Sequence, residues 1–472
     1  MSTRIVVVGG GTAGARLAQR LPVTLLGEEP HAPYNRVLLA DVLAGRYAPE
    51  VIALPGTLEP VRLGTRAVRI DRAARTVECA DGSLVGYDRL VLATGSNPVL
   101  PPLRGLRGAA LPAGVHPFRT LDDCLELRAL VRPGVRAVVI GGGLLGVSAA
   151  RALAERGADV VLTQQGERLM ERQLDEHASA LLREHVEALG VEVHTECRVS
   201  GLRQRDGAVT AVELADGFVL DAQVVVLACG VRPRVALARE AGLAVATGIV
   251  VDDELRTSDP AIHAIGDCAE HAGRVYGLAG PALDQADVLA DVLAASVVGN
   301  RSAGAEPVGT TDGTLAGASA PRAWTRTASA SPSGCGQAQE PSAPARAPSR
   351  VPTRPAQRDD CPHGADAPTT DSAPRYKGTR ALTRLTLGGA RPLDLAAFGQ
   401  VTAEPGDDVV QLTDSTRSAY RKVVVRGDRL VGGVLLGDLA AVGALARAWE
   451  GDEALPDEAP LLHLLTHDGG SS

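Results

Sequence analysis

Aromatic residues are scarce in this sequence: three Phe, two Trp and six Tyr among 472 residues. So few rings cannot build the stacking platforms that single-stranded nucleic acids use. A basic excess is missing as well. Lys and Arg number 48 against 56 Asp and Glu, a formal net charge of −8, which is the wrong sign for a phosphate backbone. No apolar run reaches the roughly 18 residues of a membrane span. The N-terminus passes from Met1-Ser2-Thr3-Arg4 straight into Ile5-Val6-Val7-Val8, without the apolar segment and cleavage site of a signal peptide. The seven cysteines are odd in number and contain no C-x-x-C pair, so they form neither a disulfide framework nor a structural zinc site. What remains is a soluble multidomain chain, expected in the cytoplasm, with no nucleic-acid or membrane partner and no metal.

What is present is a regular alternation. Short Val/Leu/Ile runs at Val6–Val8, Val23–Leu26, Leu90–Leu92, Val138–Ile140, Val160–Leu162, Val224–Leu227 and Ile262–Ile265 are separated by Ala/Leu/Arg stretches. The stretches Ala13–Arg20 and Leu144–Arg156 read as helices, and the whole reads as parallel α/β structure. Residues 301–375 break the pattern: 50 of these 75 residues are Pro, Ala, Gly, Ser or Thr. Such a stretch cannot bury enough apolar surface to offset chain entropy, so disorder is expected. A natural linker and a segment translated out of frame both remain open. Beyond it, a strand at Ala381–Leu387, a hairpin turning at Gly427-Asp428 and a helix at Val442–Trp449 predict a small α+β domain. The expected divisions are 1–115 with 236–299, then 116–235, then the insert 300–375, then 376–472.

Chemistry is written most plainly in Ile5-Val6-Val7-Val8-Gly9-Gly10-Gly11-Thr12-Ala13-Gly14. A G-x-G-x-x-G between a strand and a helix permits a tight turn at Gly9. It lets the backbone approach a pyrophosphate at Gly11 and lets helix pack closely on strand at Gly14. The helix opening at Thr12 and Ala13 offers backbone N–H donors to phosphate. Glu28 and Glu29 follow the next strand, where an acid takes ribose hydroxyls. The design recurs at Ala137-Val138-Val139-Ile140-Gly141-Gly142-Gly143-Leu144-Leu145-Gly146, but the strand after it ends in Gln164 and Gln165. A neutral amide there leaves NAD and NADP both open. Two dinucleotide sites in one chain predict two cofactors, most simply a nicotinamide passing hydride to a flavin.

Three further strand ends carry small residues: Ala93-Thr94-Gly95, Ala228-Cys229-Gly230 and Gly266-Asp267. With these, the chain resembles the FAD-dependent pyridine nucleotide oxidoreductases, the two-dinucleotide-binding flavoproteins. That resemblance implies two Rossmann-like domains and a C-terminal interface domain. It implies that Asp267 binds the FAD ribitol chain, that Ala93, Thr94 and Gly95 form the second flavin-side turn, and that Arg36 contacts a FAD phosphate or the ribityl chain. Val68 falls where family backbone atoms touch adenine. Gly27-Glu28-Glu29-Pro30-His31-Ala32-Pro33-Tyr34-Asn35-Arg36 and Leu169-Met170-Glu171-Arg172-Gln173-Leu174-Asp175 resemble, in particular, the flavin module of NADH-dependent nitrite reductase large subunits. Tyr420–Val425 with Leu430-Val431-Gly432 is similar to the interface domain of that group, and electron-transfer subunits of assimilatory nitrate reductases are related to it. The implied partner is an iron–sulfur protein or a nitrate/nitrite reductase component, with a homodimer also open.

Departures from the family pattern narrow the chemistry. No cysteine stands between Tyr34 and Gly45, so disulfide and flavin–cysteine mechanisms lack a nucleophile. No cysteine cluster is present for iron–sulfur or sirohaem modules, so this chain would not reduce nitrite alone. Ser148 stands where many family members carry Glu near the flavin–nicotinamide contact. No catalytic acid or base is assigned. Arg119-Thr120 reads as a linking turn with a helix cap, Cys229 and Cys268 as packing residues, and His177 and His185 as a solvated helix face. Cys335, Cys361 and His363 read as incidental. The expected function is an FAD-dependent NAD(P)H oxidoreductase passing electrons to a partner redox protein in nitrite or nitrate assimilation. A non-catalytic FAD-binding sensor or assembly subunit, or an oxidase using dioxygen, are the alternatives.

Overall fold

The chain was analysed as a computed structural model, which describes residues 3–106, 110–302, 374–389, 392–414, 416–452, 454–455 and 463–466. The expected low-complexity insert at 300–375 lies outside the described residues apart from its two ends, as do Cys335, Cys361 and His363.

Two parallel sheets organise the first 300 residues. One has the strand order Ile262–Ala264, Arg89–Leu92, Ile5–Val8, Thr24–Leu26, with Val6 in register with both Leu90 and Thr24. Ile5–Val8 is buried at every position, which is why it reads as an unbroken apolar run rather than an alternating one. The other sheet is ordered Val191–His194, Asp159–Thr163, Arg136–Ile140, Val224–Leu227, Val115–Pro117, also parallel. In each, a central strand runs into a glycine loop and then a helix, Thr12–Arg20 or Leu144–Glu155. Three-stranded antiparallel sheets flank them at Ala67–Gly86 and Val199–Asp221. Ser96–Pro98 and Val231–Pro233, the segments leaving two of the central strands, pair with each other antiparallel.

Residues after 380 form a five-stranded antiparallel sheet ordered Thr383–Leu387, Leu393–Gly399, Arg429–Leu436, Ala419–Arg426, Asp408–Asp414. The hairpin at Gly427-Asp428 and the helix, Val442–Gly451, stand where the sequence places them. The strands Leu393–Gly399 and Asp408–Asp414 have no counterpart in the sequence reading. The sheet uses both faces. Leu393, Leu395, Ala397, Val434 and Leu436 pack into the core shared with the helices Leu39–Ala44 and Leu144–Glu155. The alternate residues Ala396, Phe398, Val423, Val425 and Leu435 pack under Leu445 and Trp449 of the last long helix.

This packing corrects one expectation. The helix Glu176–Ala188 leaves His177 exposed, as expected, but half-buries His185. His177 lies 4.7 Å from the Tyr420 ring, and His185 Nε2 is 3.2 Å from the Gly388 carbonyl. Both touch the C-terminal sheet, whose distance in sequence hid the contact. Among the described residues, no helix is long and apolar enough to cross a membrane, and no cluster of His, Cys, Asp or Glu could hold a metal ion.

Candidate functional site

Both glycine loops are shaped by close approach of backbone to backbone. Gly9 has φ +117°, and a Cβ there would overlap the Ala93 carbonyl; one on Gly14 would overlap the Gly9 carbonyl. The second loop repeats this. Gly141 has φ +113°, its Cβ would lie 2.5 Å from Ala228 O, and a Cβ on Gly146 would overlap Gly141 O. Gly14 and Gly146 therefore lie beneath their loops and let helix rest on strand.

Gly11 and Gly143 are different. Their φ values of −75° and −80° suit any residue, and a Cβ on either would meet no atom within 4 Å. Neither backbone strain nor protein packing requires glycine there. The open space lies at a helix N-terminus, where unpaired N–H groups and the helix dipole favour a phosphate. The residues present fit a dinucleotide at both loops.

The first loop opens onto a cavity of about 530 Å3. Gly9, Gly11, Thr12, Ala13, Glu28, Glu29, Arg36, Ala93, Thr94, Gly95, Gly266 and Asp267 all line it. Glu29 is paired with the Arg36 guanidinium and accepts from Tyr34 Oη at 2.7 Å. Burial pushes the Tyr34 hydroxyl up from its ordinary range. For Arg36, burial works against the charge, but Tyr34, Glu29 and Asp267 outweigh it and raise its pKa. Glu28 faces the other way and pairs with Arg234. Asp267 Oδ2 receives Arg119 Nη2 at 2.6 Å and Ser96 Oγ at 2.9 Å.

Some placements differ from the sequence reading. Val68 does not line the cavity and is exposed. Val61 and Leu63 stand beside the Gly27–Glu29 turn instead, held by Gly27 N–H to Arg62 O and Arg62 N–H to Leu25 O, both 2.9 Å. Thr120 caps the helix Leu121–Leu130 in a capping box with Asp123, as a linking turn requires. Arg119, read from the sequence only as part of that turn, lines the cavity as well, and so do Arg384 and Leu385 of the C-terminal sheet, which the sequence reading did not single out. Ser148 lines the cavity with its hydroxyl turned back onto Leu144 O at 2.8 Å, so it brings no charge.

The second loop opens onto a groove of about 1260 Å3 lined by Gly141, Gly143, Leu144, Leu145, Gln164, Gln165 and Gly230. Gln164 Oε1 accepts the Gly142 N–H at 2.8 Å, which ties the strand end to the loop. Cys229 also lines the groove, and burial pushes its thiol up to about 11. Cys268 is fully buried under two backbone carbonyls, and burial raises its pKa as well. Neither thiol is poised as a nucleophile. Ser96, Leu144, Leu145, Val231 and Asp267 line both spaces, so the cavity and the groove share a wall.

Two strand–glycine-loop–helix units opening onto adjoining nucleotide-sized spaces define a two-nucleotide oxidoreductase, whose cofactors are FAD and NAD(P)H. The chain belongs to the pyridine nucleotide-disulphide oxidoreductase family, whose profile matches residues 3–286. Residues 390–450 match the rubredoxin NAD+ reductase C-terminal domain. Over 304 residues it is 36% identical to an assimilatory nitrate reductase electron transfer subunit of Bacillus subtilis (strain 168), covering 61% of this chain and 38% of that protein. It is 29% identical over 485 residues to a nitrite reductase [NAD(P)H] of the same organism, covering 99% of this chain and 50% of that one. A probable ferredoxin reductase, CtmF, of Castellaniella defragrans is 37% identical over 283 residues, 56% of this chain and 67% of that protein. This chain thus spans half or less of the length of the nitrate and nitrite reductase relatives. The fold is shared with the reductase in a covalent putidaredoxin reductase–putidaredoxin complex, at a TM-score of 0.72 and 23% identity over 98% of each chain.

Proposed function

We propose that this chain is an NAD(P)H-dependent flavoprotein reductase that delivers electrons to a ferredoxin- or rubredoxin-like iron–sulfur partner, in the finer reading a component of nitrite or nitrate assimilation. The observation that carries it is the wall shared by the two nucleotide spaces, formed by Leu144, Leu145, Val231, Ser96 and Asp267. In this reading residues 1–115 and 236–299 form the FAD-binding domain, 116–235 the NAD(P)-binding domain, and 376–472 the interface domain. FAD, once bound, supplies the chemistry by taking a hydride from the nicotinamide and releasing electrons onward. The chain supplies position and field. Gly11 and the first helix hold one pyrophosphate, and Glu28 or Glu29 meets the ribose. Asp267 meets the ribitol, and Gly143 with the second helix holds the other pyrophosphate. Leu144 and Leu145 would keep water from the contact between them. The names of the relatives, which include nitrate, nitrite and ferredoxin reductases, support the acceptor class without selecting one member.

The test is an absorbance spectrum of the purified protein, then anaerobic titration with NADH and with NADPH. Flavin bands bleached by one nucleotide support the reading. Flavin bands that neither nucleotide bleaches would turn it towards a non-catalytic flavin protein, for which the uncharged Ser148 is the motivating observation. Re-oxidation by a [2Fe–2S] ferredoxin, by a rubredoxin or by dioxygen with peroxide release then identifies the acceptor.

A further inference from the structure

The acid that normally ends the second strand of a dinucleotide unit is missing here. Gln164 stands in its place, and its carbonyl oxygen is already engaged by Gly142 N–H at 2.8 Å. A ribose diol presents two hydroxyl donors and is held best by a carboxylate, which has lone pairs for both. Another segment brings one to the spot. Residues after Gly166 fold back over the glycine loop, with Met170 N–H donating to Gly142 O at 2.9 Å and Met170 itself left-handed at φ +50°. This turn lays the Glu171 carboxylate over Gly166, two residues past Gln164. A Cβ on Gly166 would overlap the carboxylate, lying 2.7 Å from Oε1 and closer still to Oε2. Glu171 lines the second groove and has no hydrogen-bond or ion-pair partner among the described residues.

We infer that Glu171 takes the ribose diol of the nicotinamide nucleotide's adenosine half, replacing the absent strand-end acid, and so makes the chain select NADH over NADPH. The inference rests on the proposed assignment of the second groove to NAD(P)H. Glycine at 166 is part of the device, since any side chain there would push the carboxylate away. A 2′-phosphate placed where the diol fits would set a second anion against Glu171. Two arginines, Arg172 and Arg198, also line the groove without ion-pair partners. Arg198 follows a segment tied to the same turn by Glu196 N–H to Gly166 O and Cys197 N–H to Gln164 O, both 2.9 Å, so the experiment treats the two arginines as the rival.

The experiment is calorimetric titration of the FAD-loaded protein with NAD+ and NADP+, repeated with ADP-ribose and its 2′-phosphate so that binding is read without turnover. The wild-type chain should bind NAD+ more tightly by about tenfold or more, the scale of hydrogen bonds to a charged acceptor. Glu171→Gln should narrow that ratio by about tenfold, and Glu171→Arg should invert it. Because Glu171 is exposed, both variants should keep flavin and melting temperature, which confirms that they fold. Wild-type preference for NADP+ that is lost in Arg172→Ala or Arg198→Ala would overturn the inference. So would an unchanged ratio in Glu171→Gln. Protein that binds neither nucleotide and whose flavin neither NADH nor NADPH bleaches would overturn the proposed function itself, whereas bleaching by NADH and NADPH alike, with equal NAD+ and NADP+ affinity, overturns only the role of Glu171.

Discussion

Replacing Gly11 by Ala separates ligand binding from folding, because neither backbone strain nor protein packing requires glycine there. At most glycines of the two loops, a methyl group would strike backbone or demand a left-handed conformation, so lost binding could simply reflect lost structure. At Gly11 the backbone already lies at φ −75°, and the methyl would point into space with no protein atom within 4 Å. Two small effects on the free protein oppose each other. Alanine restricts the unfolded chain, worth about 0.4–1 kcal/mol of stability. It is also a poorer N-cap than glycine, at a cost of about the same size. The apoprotein should therefore unfold within about 1 kcal/mol of wild type. The ligand feels the methyl directly, because a pyrophosphate displaced from the helix N-terminus loses one or two charge-assisted hydrogen bonds, each worth about 1.5–3 kcal/mol. FAD affinity should fall by about 10- to 100-fold or more. The assay pairs urea unfolding of the apoprotein with FAD titration followed by fluorescence quenching. Gly143→Ala is the internal control: it should keep FAD at wild-type affinity while weakening nicotinamide nucleotide binding to a similar degree. Full FAD affinity in Gly11→Ala, or loss of FAD in Gly143→Ala with Gly11→Ala unaffected, would refute the assignment of the two loops.

Three further outcomes follow from named groups. Cys229, raised to about 11 by burial, should resist iodoacetamide at pH 8, and Cys229→Ser should reduce flavin at the wild-type rate; rapid labelling would show a thiolate that this burial forbids. For Asp175, burial alone would raise the carboxyl, but hydrogen bonds from Lys422 Nζ (2.8 Å), Tyr420 Oη (2.6 Å) and Ala178 N–H hold it below the ordinary range. Its contribution is therefore present above its unfolded value near 4 and lost as pH falls through the lower folded value, so Asp175→Asn should cost about 1–3 kcal/mol at pH 7 and little at pH 3 by urea unfolding; equal costs at both would refute it. His263 is buried in the first sheet and lowered to about 4, first by burial and then by Arg89 and Arg256, with Nδ1 unpartnered. The unfolded chain takes up that proton below about pH 6.5, so stability should fall by about 3 kcal/mol between pH 6.5 and 4, a slope that His263→Gln should flatten in acid-unfolding curves.

The glycine loops and buried central strands were legible because their causes are local. A left-handed turn selects glycine, and burial on both faces selects Val, Leu and Ile whatever lies far along the chain. Arg119 was not legible, because its meaning lies in Asp267, 148 residues away, while its own neighbours advertise only the Thr120 cap. Val61 and Leu63 beside the Gly27–Glu29 turn were not legible, because backbone hydrogen bonds of Arg62 fix them there and these leave no side-chain signature. His177 is exposed as its helix face suggests, whereas His185 is half-buried by the Gly388 carbonyl, 203 residues away, which its own helix does not reveal. A signal for Glu171 was present: the quoted Leu169–Asp175 segment contains an acid close after the two glutamines. Nothing in the sequence, however, shows that the turn at Met170 folds it back onto Gly166.

The relative placement of the two nucleotide loops is the property on which hydride transfer would depend, and one ion network built around a buried arginine bears on it. The helix Leu144–Glu155 starts at the second loop, and its Leu144, Leu145 and Ser148 form part of the wall of the first cavity. One turn further on, Arg151, only 2% exposed at its side chain, donates to Asp41 of the helix Leu39–Ala44 at 2.9 Å and meets Glu155 at 3.3 Å. Arg46 closes the ring by bonding Glu155 at 2.7 Å. Exchanging such a network for apolar residues could leave stability unchanged or raise it, so it is a poor argument for stability as such. Removing a partner is another matter, because a buried guanidinium left alone costs about 3–5 kcal/mol. Any sliding of the second helix against the first domain would separate Arg151 from Asp41 and incur part of that cost. The C-terminal sheet reinforces the same arrangement, since Leu385 and Arg384 border the first cavity while Lys422 and Tyr420 hold Asp175 at the start of the helix Glu176–Ala188. The two loops are therefore held in register by contacts that reach beyond either glycine loop, from the Arg151–Asp41 pair to the C-terminal sheet.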